Sequence, residues 1–200
     1  MLHVCQLTMC CGCALSQLGL KGHTDYIHAV AMLNTGQECV TASEDGSVRI
    51  WDLRRPLEAT QVIEPYKNEN CARPQLGRWV GCVAVDTADD WMVCGGGPKL
   101  CLWHLRSLAA TAVFDTPGVC QKTALFHDDS IISAGNQPFV HHWSVNGEER
   151  SKVPCSPTSI FSLKVNSTSE NAKVLSVAGN CHKVDICTNF GYRAFSLETC

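Results

Sequence analysis

Short apolar runs broken by Gly, Asp-Gly and polar turns follow one another along the whole chain, and no helix of ordinary length is needed to account for any of them. The runs fall into ordered series. Ile27–Leu33, Val80–Asp86, Cys120–Phe126 and Ile160–Val165 read as opening strands. Cys39–Ala42, Trp91–Cys94, Ser130–Ala134 and Val174–Ala178 follow them, end in small residues and lead into glycine-containing or Asp-Gly turns suited to hairpins. Third strands are predicted at Ser47–Asp52, Lys99–His104, Phe139–Trp143 and Lys183–Cys187, marked by Trp51, Trp103, Trp143 and Ile186 at separations of 52, 40 and 43 residues. A period of about 40–50 residues predicts an all-β chain of repeated four-stranded units. Ahead of these, Val4–Met9 and Leu15–Leu20 read as the last two strands of a preceding unit, and Phe190–Leu197 as the outer strand of the last.

Within the first unit, Gly22-His23 and Trp51-Asp52 bracket two strand runs and a Ser-Glu-Asp-Gly turn. This spacing resembles the WD repeat, which implies a WD-repeat β-propeller blade. In that family a histidine, a serine, an aspartate and the tryptophan are joined by hydrogen bonds, and His23, Ser43, Asp45 and Trp51 match the four places. The expected chain of donors has the Trp51 indole donating to Ser43, Ser43 to His23, and the other imidazole nitrogen to Asp45. Ser, His and Asp also compose a hydrolase triad, but no nucleophile elbow or oxyanion-hole motif accompanies them. Only this unit keeps all four residues. The later ones end Trp103-His104, Trp143-Ser144 and Asp185-Ile186.

The expected division is a remnant of a preceding blade at 1–21, the full WD blade at 22–63, a long inter-blade loop at 64–79, and three degenerate blades at 80–114, 115–154 and 155–200. That makes about four blades of the seven-bladed ring that most WD-repeat proteins form, so the chain reads as a fragment or short form. Blade links commonly need about two to six residues, and the segment Glu64–Trp79 far exceeds this. It carries Tyr66, Arg73 and Trp79, residue types enriched at binding hot spots, and Tyr66 and Arg73 are expected to be largely exposed.

Other candidate chemistry is thin. Of the fourteen cysteines, Cys39, Cys82, Cys94, Cys101, Cys120 and Cys187 lie within strand runs and read as free buried thiols of a reducing compartment. Cys10 and Cys13 form a single Cys-x-x-Cys with no second pair, so no metal is expected. His141 and His142 point to opposite faces of one strand. Gly95-Gly96-Gly97-Pro98 lacks the Lys-Ser/Thr of a phosphate loop and reads as a wide turn, and Asp89-Asp90 and Asp128-Asp129 as solvated turns. With 45% hydrophobic and 18% charged residues and a net charge of −3, the chain has apolar content for a core but no basic stripe for RNA. No apolar run reaches membrane-spanning length.

Several stretches exceed generic repeat text: GHTDYIH (Gly22–His28), EDGSVRIWDLR (Glu44–Arg54), GRWVGCVA (Gly77–Ala84), DWMVCGGGPKLCLWHLRS (Asp90–Ser107) and TNFGYRAFSL (Thr188–Leu197). Together they resemble the C-terminal portion of the subunit-six family of the THO complex. The resemblance implies a nuclear, non-enzymatic scaffold in the transcription/export assembly for mRNA processing and export. It implies partners among the other proteins of that assembly, indirect RNA contact, no cofactor, no small-molecule substrate and no membrane. A generic adaptor, such as a ubiquitin-ligase substrate receptor, and a metal- or thiol-dependent enzyme are the alternatives.

Overall fold

A computed structural model describes residues 4–11, 14–97, 99–166 and 173–198. The chain opens with a two-stranded antiparallel pair, β1 (Val4–Cys11) and β2 (Ala14–Lys21). Four meandering antiparallel sheets follow, each of four strands. The first holds β3 (Ile27–Met32), β4 (Glu38–Ser43), β5 (Val48–Asp52) and β6 (Gln61–Ile63). The second holds β7 (Cys82–Val85), β8 (Trp91–Gly96), β9 (Lys99–His104) and β10 (Ala109–Asp115). The third runs β11 (Gln121–His127), β12 (Ser130–Gly135), β13 (Phe139–Ser144) and β14 (Glu149–Pro154). The fourth runs β15 (Ile160–Val165), β16 (Val174–Gly179), β17 (Lys183–Thr188) and β18 (Tyr192–Glu198). Helix among the described residues is limited to a 3-10 turn at Pro65–Lys67.

The opening strands β3, β7, β11 and β15 stand side by side in that order, so the sheets splay around them as propeller blades. The first three sheets bury both faces, and the fourth buries the face turned to the third. Val40, Ala42, Val48 and Ile50 of the first blade meet Met92, Cys94, Cys101 and Trp103 of the second. Their alternates in the second blade, Val93, Leu100, Leu102 and Phe114, meet Ile131 and Trp143 of the third. Ile132, Ala134, Val140 and Val153 in turn meet Leu163, Leu175, Val177 and Cys187 of the fourth. Period-2 alternation therefore sends neighbouring residues of one strand into two different cores. This explains why the second and third strands read as unbroken apolar runs.

The same geometry corrects one assignment. The residue of β17 that faces the preceding blade, as Trp51, Trp103 and Trp143 do in theirs, is Cys187, opposite Leu175. Ile186 lies on the other face, opposite Phe195 of β18. The tryptophan of the last blade is thus replaced by Cys187, not by Ile186.

If burial between blades stabilises the arc, Leu100→Ala, at a fully buried side chain, is expected to cost about 2–5 kcal/mol. Leu57→Ala, at an 82% exposed one, is expected to change stability by less than about 0.5 kcal/mol. Chemical denaturation of the two variants checks the contrast.

Candidate functional site: a buttressed loop and its polar anchors

In the first blade a buried relay fixes the entry to β3. The Trp51 indole N–H donates to Thr41 Oγ1 at 2.8 Å, and Thr41 Oγ1 lies 2.7 Å from His23 Nε2. His23 Nδ1 lies 2.8 Å from Asp45 Oδ2. One proton arrangement satisfies every group: Thr41 donates to Nε2 and the neutral imidazole donates through Nδ1 to the carboxylate. Thr41, not Ser43, is the central hydroxyl. The reason is register: Trp51 stands opposite Cys39, and its indole reaches the diagonal neighbour two residues on, whereas Ser43 is two residues further still. Ser43 Oγ instead donates to the Tyr26 carbonyl at 2.8 Å and accepts the Asp45 N–H at 3.2 Å, which shapes the turn. Ser47, which the sequence reading passed over, completes Asp45 with hydroxyl and amide donors at 2.6 and 2.8 Å.

Burial acts first on His23 and, despite Asp45, holds its imidazole below the ordinary value of 6.5. Burial alone would raise Asp45, but the donors from Ser47, His23 and Thr24 outweigh it and hold the carboxyl far below its usual range.

The diagonal pair recurs and then decays. Trp143 donates to Ser133 at 2.9 Å. Trp103 has no oxygen acceptor and faces the sulphur of Cys94. In the fourth blade Cys187 and Val177 occupy the pair, and a different anchor holds the entry loop. Asp185, fully buried, accepts from Ser156 N–H and Ser156 Oγ at 2.5 and 2.9 Å and from Ser196 Oγ at 2.5 Å.

The loop between the first and second blades is folded onto the second. Cys71 is disulfide-bonded to Cys101 of β9, so Cys101 is not the free thiol its strand position suggested. Arg73 donates to the carbonyls of Gly96 and Trp79, with its guanidinium 4.9 Å from the Trp79 ring centroid. The indole lies over Gly81 and Gly96, where any Cβ would collide with it. Gly81, and Gly96 of the Gly-rich run, therefore make room for Trp79; Pro98 lies outside the described residues. Tyr66 is half-buried, its hydroxyl donating to Glu64 at 2.7 Å and its ring facing Arg78. Tyr66 and Arg73 are thus not the largely exposed residues expected, because both are spent on internal contacts. Leu76, 55% exposed, and Arg78 form the accessible crown.

The paired aspartates also do more than meet water. Asp89 accepts the amides of Asn34 and Thr35 from the first blade at 2.9 and 3.3 Å, and Asp128 pairs with Lys173 of the fourth. His141 is buried, stacked on Trp143 and 2.6 Å from Glu149, while His142 packs against Phe190. Among the described residues no group of three or more His, Cys, Asp or Glu side chains is placed to hold a metal ion. The side chains of Cys10 and Cys13 lie outside the described residues.

Comparison with known proteins matches the WD domain, G-beta repeat, model to residues 14–52. The human protein "THO complex subunit 6" is 49% identical over 181 residues, 90% of this chain and 52% of its own length. The mouse and zebrafish proteins, each "THO complex subunit 6 homolog", are 50% and 47% identical over the same length. Over nine-tenths of its length the chain is similar to THO complex subunit 6 of these vertebrates. It spans about half the length of these relatives.

Thr41→Val keeps the shape of the relay's centre and removes its hydroxyl, leaving Trp51 N–H and His23 Nε2 unpartnered in a dry site. It is expected to cost about 1–3 kcal/mol in denaturant unfolding, with Thr41→Ser recovering most of that. Because the folded-state value of His23 is depressed, its contribution is complete above pH 6.5 and is lost as pH falls, when the unfolded chain takes up a proton that the fold resists. The decline in stability between pH 7 and 5 is expected to be shallower in His23→Gln than in the parent.

Proposed function

We propose that this chain is a non-enzymatic protein-interaction scaffold of the THO/transcription-export assembly, acting in the nucleus in mRNA processing and export. The observation that carries the reading is its close identity with named THO complex subunits across nine-tenths of its length. The geometry supports a scaffold: the polar constellation around His23 consists of mutually satisfied donors and acceptors buried with Trp51, which leaves no free nucleophile or base. Function then lies in rigid presentation of loops. With its charge near balance, the chain meets RNA through other subunits rather than through a field of its own.

The loop Glu64–Trp79 is the proposed partner surface, with Tyr66, Arg73 and Trp79 as its framework and the Leu76–Arg78 crown as its accessible part. A framework role gives Arg73 a distinct signature. Arg73→Ala strands two carbonyls and releases Trp79, so it is expected to lower stability by about 1–3 kcal/mol as well as weaken assembly. Leu76→Ala with Arg78→Ala is expected to leave the melting temperature within about 2 °C and reduce recovery of THO subunits from nuclear extract. Tagged parent and variant chains, compared by quantitative co-purification and thermal unfolding, provide the test. Recovery of no THO subunit by the parent would overturn the scaffold reading, and undiminished recovery by the crown variant would remove the loop from the interface.

A further inference from the structure

Between the second and third blades, where β7 and β11 finish, lies a groove of about 530 Å³. Its apolar walls are Trp91, at the start of β8, and Phe126, near the end of β11, both only half-buried. Val145, in the turn between β13 and β14, stands 38% exposed on the rim. Three carboxylates line the same space: Asp86 from the second blade, and Asp128 and Asp129 from the third. Their commitments differ. Asp128 already has Lys173 as its ion-pair partner, with the His127 imidazole 3.4 Å away. Asp86 accepts the amides of Asp90 and Trp91, each at 2.9 Å and both through Oδ1, and no cation among the described residues pairs with it. Asp129 is exposed and makes no hydrogen bond or ion pair among the described residues. Arg106, on the neighbouring turn, is turned to Asp90 instead, 3.9 Å away.

Aromatic walls left half open beside unmatched carboxylates select one ligand chemistry. Three negative charges line the groove and one cation answers Asp128, so those of Asp86 and Asp129 are left over. Such a lining repels phosphate and carboxylate groups and attracts a cation, and the faces of Trp91 and Phe126 strengthen that attraction through their ring quadrupoles. The shape of the cation matters too. An ammonium is a compact, strongly hydrated point charge, whereas a guanidinium is flat, weakly hydrated, stacks on an indole and can meet carboxylates along its edge. Val145 on the rim offers an apolar contact to the methylene stem that carries it.

We infer that this inter-blade groove takes an arginine side chain of a partner protein, its guanidinium lying against Trp91 and Phe126 and its charge answered by Asp86 and Asp129. This deepens the scaffold reading by naming a second surface and the side chain it selects, and it rests on that reading for the source of the arginine. The aromatic walls supply contact area, and the two carboxylates supply the preference for a cation.

Trp91 lets the groove be read without the partner. The full chain is labelled with 5-fluorotryptophan, and the Trp91 resonance is identified by its absence in Trp91→Phe. N-acetyl-Gly-Arg-Gly-amide is titrated and followed by fluorine NMR, as are its lysine counterpart and its citrulline counterpart, which keeps the shape of arginine without the charge. The arginine peptide is expected to move the Trp91 resonance saturably, with a midpoint about tenfold below that of the citrulline peptide, the size of two partly solvated charge contacts, and the lysine peptide is expected to fall between them. The resonance of Trp51, buried in the first blade, is expected to stay in place, which reports that the fold is intact. Asp129→Asn, an exposed change expected to leave the melting temperature unaltered, is expected to weaken the arginine peptide by about fivefold. A Trp91 resonance that no peptide moves, a citrulline or lysine peptide as strong as the arginine one, or undiminished binding in Asp129→Asn would overturn the proposal. Because no THO subunit takes part, that outcome is separable from a failure of co-purification.

Discussion

A sheet that is apolar on both faces cannot be covered by folding back on itself; it needs a neighbour on each side. The first three blades meet this condition, because strict alternation along β4, β8 and β12 sends adjacent residues into different cores, whereas the fourth buries one face against the third and leaves its outer strand β18 exposed. Met92 belongs to the core shared with the first blade and Val93 to the core shared with the third. Stability is therefore a sum of nearest-neighbour interfaces, as in other repeat architectures. The opening and closing details can drift as long as the two faces stay apolar.

That tolerance explains how the polar relay decays. A buried indole needs an acceptor, and the diagonal position supplies a threonine hydroxyl in the first blade and a serine hydroxyl in the third, whereas in the second it holds Cys94 and the Trp103 N–H makes no hydrogen bond. Where the tryptophan itself is gone, at Cys187, the acceptor is gone too, and Val177 fills its place. The entry loop still has to be tied down. Asp185 does this with Ser156, just as Asp45 does with the segment around His23. The two anchors share a logic, a buried carboxylate surrounded by N–H and O–H donors, without sharing positions.

The blades were legible because hydrophobic period and turn chemistry agree at almost every strand, and Trp51, Trp103 and Trp143 mark the register. What failed was finer than a run. Choosing Ser43 over Thr41 is a two-residue error along one face, invisible without knowing that Trp51 stands opposite Cys39. Taking Ile186 as the lost tryptophan is a one-residue error, and it moved the side chain to the wrong face of the sheet. The long loop was found by its length, but its orientation was not readable. Cys71 meets Cys101 thirty residues on, and Gly96 is bare for the sake of Trp79, pairings that only the folded chain brings together.

The loop also changes the meaning of its own composition. Tyrosine, arginine and tryptophan are common at interfaces because they combine large area with few rotors, and the same properties suit them to bracing a loop from within. Arg73 answers two backbone carbonyls and stacks on Trp79, so its energy is already committed before any partner arrives. An order of this kind lowers the entropy lost on binding, since the indole and the backbone beside it are fixed in the free protein. Residues that look like the anchor are thus the frame, and the surface proposed for a partner is what the frame holds out, Leu76 and Arg78 on the crown.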